Sequence, residues 1–325
     1  MKFNLIICTL KRPKSIKDLL DSVACQTLYP DEILVIDASP DNLTANLLQE
    51  FSYTALKYFK VNEKNSGLTR QRNYGISKTS KEIEVICFLD DDIILEPDYF
   101  ENLIRTYTFC PTAVGVGGYI SNEVVWKKSE TSPDFDEYKI DGFIRKLGSR
   151  NLLRKKIGLL SDQAPGVMPE FSNGLSIGFL PPSGNIYPVE YFMGGVASYR
   201  KEIFEKISFS DYFKGYGLYE DMDFCLRASR FGPNYVNTAA RVTHHHEEAG
   251  RPNRFKYGQM VIRNGWHVWR VKYSKPSFKG KLKWHLTAFL LISVRISNIF
   301  TTPKKREAFS ESAGRIIGWL RLMFS

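Results

Sequence analysis

Three successive carboxylates, Asp90, Asp91 and Asp92, close the apolar run VICFL, and a second acidic group follows two glycines in GYGLYEDMD, where Glu220, Asp221 and Asp223 stand. Adjacent carboxylates repel one another and lose hydration at a high cost, so a partly buried triplet needs a cation. Mg2+ or Mn2+, held by one or two carboxylates together with substrate phosphates, suits those residue types. A solvated acidic turn capping the helix that begins near Pro97 is the plainer account of the triplet. For Glu220, Asp221 and Asp223 the plainer account is a helix N-terminus, where the dipole favours acids. His244, His245 and His246 form a third cluster. Imidazole is a ligand for Mn2+ and can donate to a phosphate. Side chains alternate along an extended segment, so His244 and His246 share a face and all three cannot reach one ion. A zinc site lacks cysteine partners at a suitable spacing, and a plain surface histidine is the alternative for each of the three.

Positioning these groups is the work of strands that alternate with helices. Residues 85–89 read as a strand buried on both faces, because a half-solvated strand would alternate with polar residues. Residues 3–8, 33–36 and 57–61 are further strands, and helical spacing of apolar residues lies at 15–25 and again after Asp41. Another helix carries Arg70, Arg72 and Asn73, and 97–109 is a helix with Pro early in its first turn. Alternation of this kind indicates βαβ units, a mostly parallel sheet and an α/β class. Ligands of such sheets bind at the carboxyl ends of the strands, where the Asp triplet falls. Residues 113–120 and 234–242 are expected strands, and 199–207 and 224–231 expected helices. Between 121 and 190 Gly and Pro recur with weak periodicity, and no fold is assigned there; an irregular insert of that length is usually functional or mobile.

The net charge of +10 over 325 residues is unevenly divided. Residues 1–250 hold 29 Lys+Arg against 33 Asp+Glu, a balance of −4, whereas 251–325 hold 16 against 2, a balance of +14. The basic tail therefore points to an anionic surface as its partner. Within it, 284–300 is mostly apolar but interrupted by His285, Arg295 and Asn298, too short and too polar for a span of about 20 apolar residues. Cations flank it at Lys279, Lys281, Lys283, Lys304, Lys305 and Arg306, and a second amphipathic stretch carries Ile316, Trp319, Leu320 and Met323. That pattern suits helices lying on anionic lipid, or equally a helical cap on the core. Nucleic acid is not an expected partner, because the tail has charge but no recognition motif. The five cysteines lack CxxC spacing and read as reduced, and no basic stretch followed by an apolar one opens the chain, so a cytoplasmic, membrane-peripheral protein is expected.

Five features in register resemble the inverting family 2 glycosyltransferases with the GT-A fold: the opening strand with TLKRP, the strand ending on Asp37, GLTRQRNYGI, FLDDD, and GYGLYEDMDFCLR followed by HHH. The resemblance covers roughly residues 3–270. It implies a GT-A catalytic domain at 1–250, with a donor-binding half to about 120 and an acceptor-side half beyond it, and an amphipathic helical tail at 251–325. It also implies that Thr9 and Asp37 hold the base; a carboxylate accepts from the N3–H of uracil or thymine but finds no such donor in cytosine. Arg72 matches the Arg of the family's RN motif and would help hold the nucleotide, with Arg12 and Arg70 as nearby cations. Asp90 or Asp91 would meet the ribose hydroxyls, and Asp92, with His246 or His244, the Mn2+ or Mg2+ that joins the diphosphate to an acidic crevice.

By the same resemblance Asp221 is the general base, removing the proton of an acceptor hydroxyl as it attacks the anomeric carbon opposite the diphosphate. Glu220 is the neighbour most easily confused with it, and Gly194 and Gly195 line the donor-sugar and acceptor side. The donor would be a nucleotide-diphosphate sugar, UDP favoured, and the acceptor a glycan or lipid-linked hydroxyl of a surface polysaccharide. A QxxRW motif is missing, since Gln259 is followed by Met260, Val261, Ile262 and then Arg263, which argues for one sugar per encounter. The second reading is a nucleotide-sugar or polyanion-binding protein without catalysis.

Overall fold

A computed structural model describes residues 1–246 and 252–323. The chain opens with β1 (Phe3–Thr9), α1 (Pro13–Ala24), β2 (Glu32–Asp37), α2 (Leu43–Gln49), β3 (Leu56–Lys60), α3 (Leu68–Lys78), β4 (Val85–Asp90), β5 (Ile93–Leu95), α4 (Tyr99–Phe109) and β6 (Gly115–Ile120). It continues through β7 (Lys127–Lys128), β8 (Glu137–Ile140), β9 (Phe143–Lys146) and α5 (Gly148–Lys156). Then come β10 (Ile186–Val189), β11 (Val196–Arg200), α6 (Glu220–Ala228) and β12 (Asn234–His244), and finally α7 (Arg254–Lys272), α8 (Phe278–Thr301) and α9 (Lys305–Met323). These elements form two compact units, one from 1–125 with 180–250 and the other from 126–179 with 251–325.

The first unit is built on a sheet in the order β10-β12-β6-β11-β4-β1-β2-β3, with β5 on β12. β4, β1, β2 and β3 run parallel, as do β6 and β12, while β11 is antiparallel to both β4 and β6. The apolar run of β4 behaves as its composition demands. Val85, Cys87 and Leu89 face a cluster with Ile16, Leu19, Tyr99 and Leu103. Phe88, on the other face, meets the rings of Tyr199, Phe204 and Phe209. Each large apolar side chain so buried contributes about 1.5–3 kcal/mol, and the strand has no solvated face to spare for a polar residue until Asp90. The carboxylates therefore begin where the sheet's cover ends.

Residues 199–207, expected as a helix, divide differently. Tyr199 and Arg200 end β11, where Tyr199 pairs with Ile86 and is 1% exposed, and only Lys201–Glu205 turns, as a short 3-10 helix. Pairing on both edges and burial of the Tyr199 ring outweigh the local apolar spacing. Pro97 likewise precedes α4, whose cap is Asp98.

The second unit gives 126–179 a fold of its own, a small antiparallel sheet in the order β7-β9-β8 followed by α5. This segment groups with 251–325, whereas the sequence suggested it as part of an acceptor-side half. Its irregular backbone supplies the acceptors that tie it in: Lys272 Nζ and Tyr273 Oη donate to the Met168 carbonyl at 2.7 and 3.1 Å, and Trp269 Nε1 to that of Glu170 at 3.2 Å. No helix among the described residues is long and apolar enough to cross a membrane.

Candidate functional site

A crevice of about 300 Å3 opens at the carboxyl ends of β1 and β4, lined by Thr9, Arg12, Gln71, Asp90 and Asp91, with Gly67 and Tyr216 among its other residues. Parallel register sets Cys8 against Asp90, so the chain leaving β1 lies beside the triplet. Thr9 Oγ1 donates to Asp91 Oδ2 and Arg12 Nη1 to Asp91 Oδ1, both at 2.7 Å, and Arg12 also approaches Asp92 Oδ2 at 3.5 Å. Asp91 is only 3% exposed, and burial pushes its carboxyl up to about 6 against the pull of Arg12 and Thr9. The Asp90 side chain is by contrast 40% exposed. Gln71, inside the GLTRQRNYGI stretch, donates to the carbonyls of Thr9 and Ile36 and so holds the ends of β1 and β2 together.

Asp37 is fully buried at the end of β2, its oxygens accepting from the Ser39 N–H at 2.7 Å and the Tyr58 hydroxyl at 2.8 Å. It does not line the crevice among the described residues. Arg70 points elsewhere, donating to the Lys64 carbonyl at 3.4 Å and lying 3.9 Å from Asp211.

The two acidic groups meet through Arg72. Its guanidinium hydrogen-bonds Glu220 Oε1 through Nη1, lies 3.6 Å from Asp90 Oδ1 through Nη2, and rests on the rings of Phe88 and Phe209. Burial works against this cation, yet Glu220 and Asp90 more than offset it and its pKa rises. Glu220, 4% exposed, is driven upward by burial against the pull of Arg72, and its Oε2 has no hydrogen-bond partner among the described residues. Asp221 accepts from the Gly194 N–H at 3.0 Å and from the Met222 N–H at 2.7 Å. Burial raises it above the ordinary carboxylate range against those two N–H bonds. A side chain at 194 would put Cβ 2.7 Å from Arg72 Nη1, and one at 195 would put it 2.3 Å from Asp90 Oδ2. A side chain at either position would therefore force Arg72 and Glu220, or Asp90, to shift. Glu220, Asp221 and Asp223 do occupy the first turn of α6, and Asp223 is spent on Arg227 at 2.5 Å.

The histidines reach the triplet from β12. His244 Nε2 lies 3.2 Å from Asp92 Oδ1, and its Nδ1 lies 3.1 Å from Oε1 of Glu123. His246 Nε2 lies 3.0 Å from the same Glu123 oxygen, and the two rings, on a shared face, have centroids 4.0 Å apart. Burial alone would lower His244, but Asp92 and Glu123 raise it to about 9. A divalent ion with bonds of about 2.1 Å holds neighbouring ligands about 3.0 Å apart, so Asp92 and His244 have a separation that fits one. Glu123 carried no signal in the sequence. It sits in a loop after β6, and only the parallel pairing of β6 with β12, Ile120 opposite Val242, brings it to the histidines.

An α/β sheet with an acidic crevice at its strand ends, joined through Arg72 to a second acidic helix start, has a GT-A type of architecture. The chain belongs to glycosyl transferase family 2, whose family model matches residues 4–166, half of its length. It is 29% identical over 136 residues to the glucosyl-dolichyl phosphate glucuronosyltransferase of Haloferax volcanii, covering 41% of this chain and 43% of that one. It is 32% identical over 109 residues to the O-antigen chain rhamnosyltransferase RfbN of Salmonella typhimurium, covering 33% and 34%. The chain spans less than half the length of these curated relatives. Among solved structures, GalNAc-T7 with UDP, GalNAc and Mn2+ superposes with a TM-score of 0.53 at 16% identity, over 81% of this chain and 48% of that one. S. aureus TarS 1–349 does so with a TM-score of 0.52 at 16% identity, over 99% and 80%. Likeness at that identity defines the fold.

Proposed function

We propose that this protein is a metal-dependent inverting glycosyltransferase that moves one sugar from a nucleotide-diphosphate sugar, UDP favoured, to a hydroxyl of a glycan or lipid-linked acceptor. The observation that carries the reading is Asp221. Its carboxylate is aimed by two main-chain N–H groups, raised above its ordinary range, and held close to Arg72 and Asp90. A carboxylate so oriented accepts the proton of an acceptor hydroxyl while that oxygen forms its bond to the anomeric carbon and the bond to the diphosphate breaks. Arg72 and the glycines at 194 and 195 form the wall along which the sugar would lie.

Asp90, the more open of the first two carboxylates, is suited to the ribose hydroxyls, while Asp91 is engaged by Thr9 and Arg12 and supports the loop. Asp37, buried and bonded to Ser39 and Tyr58, is left the role of holding the end of β2, and the crevice-lining Thr9 and Arg12 are assigned to the nucleotide side. Asp92 and His244 would hold Mn2+ or Mg2+. Bound there, the ion supplies positive charge to the departing diphosphate.

Relatives named for a lipid-phosphate-linked substrate and for an O-antigen chain support a surface-polysaccharide acceptor. The tail supports placement on the inner face of a membrane. Along α8, Phe278, Leu282, Leu286 and Phe289 are 82%, 49%, 46% and 57% exposed at spacings that share one helix face, beside exposed Lys279 and Lys281. An apolar stripe with cationic flanks is what an anionic lipid surface takes up.

The test is turnover of UDP-sugars with Mn2+, in wild type, Asp221→Asn and Asp92→Ala. The expected result is donor turnover only with metal, and loss of at least a hundredfold in both variants while UDP still binds Asp221→Asn. Full activity in Asp221→Asn removes the base assignment. Donor binding without turnover across a panel of acceptors would establish a binding protein in place of an enzyme.

A further inference from the structure

We infer that Glu123 is a positioning residue, one that fixes the ring of His244 so that its Nε2 faces a divalent cation held with Asp92. The inference rests on the metal reading above and concerns a residue outside the acidic motifs. His244 is gripped on three sides. Its Nδ1 lies 3.1 Å from Glu123 Oε1, and its Nε2 3.2 Å from Asp92 Oδ1. Its main chain is bonded in both directions by the neighbouring Asn122, whose Oδ1 accepts the His244 N–H at 3.0 Å and whose Nδ2 donates to the His244 carbonyl at 2.9 Å. Asn122 and Glu123 thus act as a pair, one fixing the backbone and the other the ring.

A carboxylate on Nδ1 selects the tautomer with its proton there and leaves the Nε2 lone pair free for a metal. Acceptance of that hydrogen bond also makes Nε2 a stronger donor to the ion. His246 completes the arrangement. Its backbone turns at a φ of 54°, and the ring returns to the same Glu123 oxygen at 3.0 Å, limiting the carboxylate's own freedom. The cluster of Glu123, His244 and His246 has ligand atoms close enough to hold an ion directly, with Asp92 then the outer partner. The two arrangements differ in what a glutamine at 123 can do. Its amide oxygen still accepts the Nδ1–H but is a poor substitute for a carboxylate ligand.

The experiment is a titration of the full chain with Mn2+ in the presence of UDP, following free Mn2+ by electron paramagnetic resonance. Wild type, Glu123→Ala, Glu123→Gln and Asp92→Asn are compared, with melting temperatures taken in chelator. The expected result is a loss of about 10–100-fold in Mn2+ affinity for Glu123→Ala, most of it restored in Glu123→Gln, with both variants still melting cooperatively in chelator well above the titration temperature. Unchanged affinity in Glu123→Ala, with Asp92→Asn impaired, overturns the inference and leaves the metal reading standing. Glu123→Gln as impaired as Glu123→Ala, with both variants folded in chelator, makes Glu123 a ligand and overturns it too. Absence of Mn2+ binding by wild type with UDP overturns the metal reading and the inference with it.

Discussion

Arg72 and Glu220 stand 148 residues apart in sequence and form an ion pair inside the protein, with side chains only 3% and 5% exposed. A buried pair of this kind is costly to break on one side, because the remaining charge keeps its desolvation penalty and loses its partner. Arg72→Met should therefore lower the unfolding free energy by about 3–5 kcal/mol in urea titrations. The double variant Arg72→Met/Glu220→Met should recover part of that loss, since Glu220 no longer leaves an unpaired charge although Asp90 still loses Arg72. Recovery absent from the double variant would mean that Asp90 and the rings of Phe88 and Phe209 depend on the guanidinium more than Glu220 does.

Gly195→Ala drives a methyl group into the Asp90 carboxylate, and Gly194→Ala drives one into Arg72 and Glu220. Each should cost about 1–3 kcal/mol in stability. The two separate in binding: Gly195→Ala, which displaces Asp90, should weaken UDP more than Gly194→Ala, and isothermal titration with UDP and Mn2+ measures the difference.

For pH, His244 is the informative group. Its pKa rises from 6.5 to about 9 in the metal-free protein because Asp92 and Glu123 favour the imidazolium. The folded state then holds a proton that the unfolded state has released, so the stabilisation is complete below 6.5 and lost as pH climbs through about 9. With a chelator present, wild type should lose about 2–3 kcal/mol between those limits and His244→Gln should not. Metal must displace the same proton, so Mn2+ affinity should increase over that window.

Vesicle co-sedimentation tests the tail. Binding to vesicles containing anionic lipid should be strong at low salt and weaken as salt rises, while neutral vesicles bind poorly. Lys279→Gln combined with Lys281→Gln removes about 2 kcal/mol of attraction, or roughly thirtyfold in partitioning. Equal binding to neutral and anionic vesicles would assign the exposed α8 stripe to protein contact.

The strands and the Asp triplet were legible because a doubly buried strand leaves an unbroken apolar run and its carboxyl end is where polar residues first appear. The meeting of the triplet with Glu220-Asp221 followed from the resemblance, not from periodicity, since no local signal couples residues so far apart. Glu123 was invisible for a related reason: a single acid in the loop SNEVV becomes informative only once β6 and β12 are paired in register. Residues 126–179 read as irregular because their strands are only two to four residues long, too short for an alternating pattern, and main-chain carbonyls at 168 and 170 bound by Lys272, Tyr273 and Trp269 leave no imprint on side-chain spacing. Tyr199 was misread since apolar residues in a short strand followed by a 3-10 turn mimic a helical stripe.

Among the described residues Asp221 accepts hydrogen bonds from peptide groups alone, one in the strand-side loop at 194 and one at the next residue in α6. Side-chain replacement at 222 leaves that peptide donor in place. In the role proposed for Asp221, residues around the carboxylate can change, in nature or in a laboratory library, and with them acceptor preference, while the direction of proton removal is inherited intact.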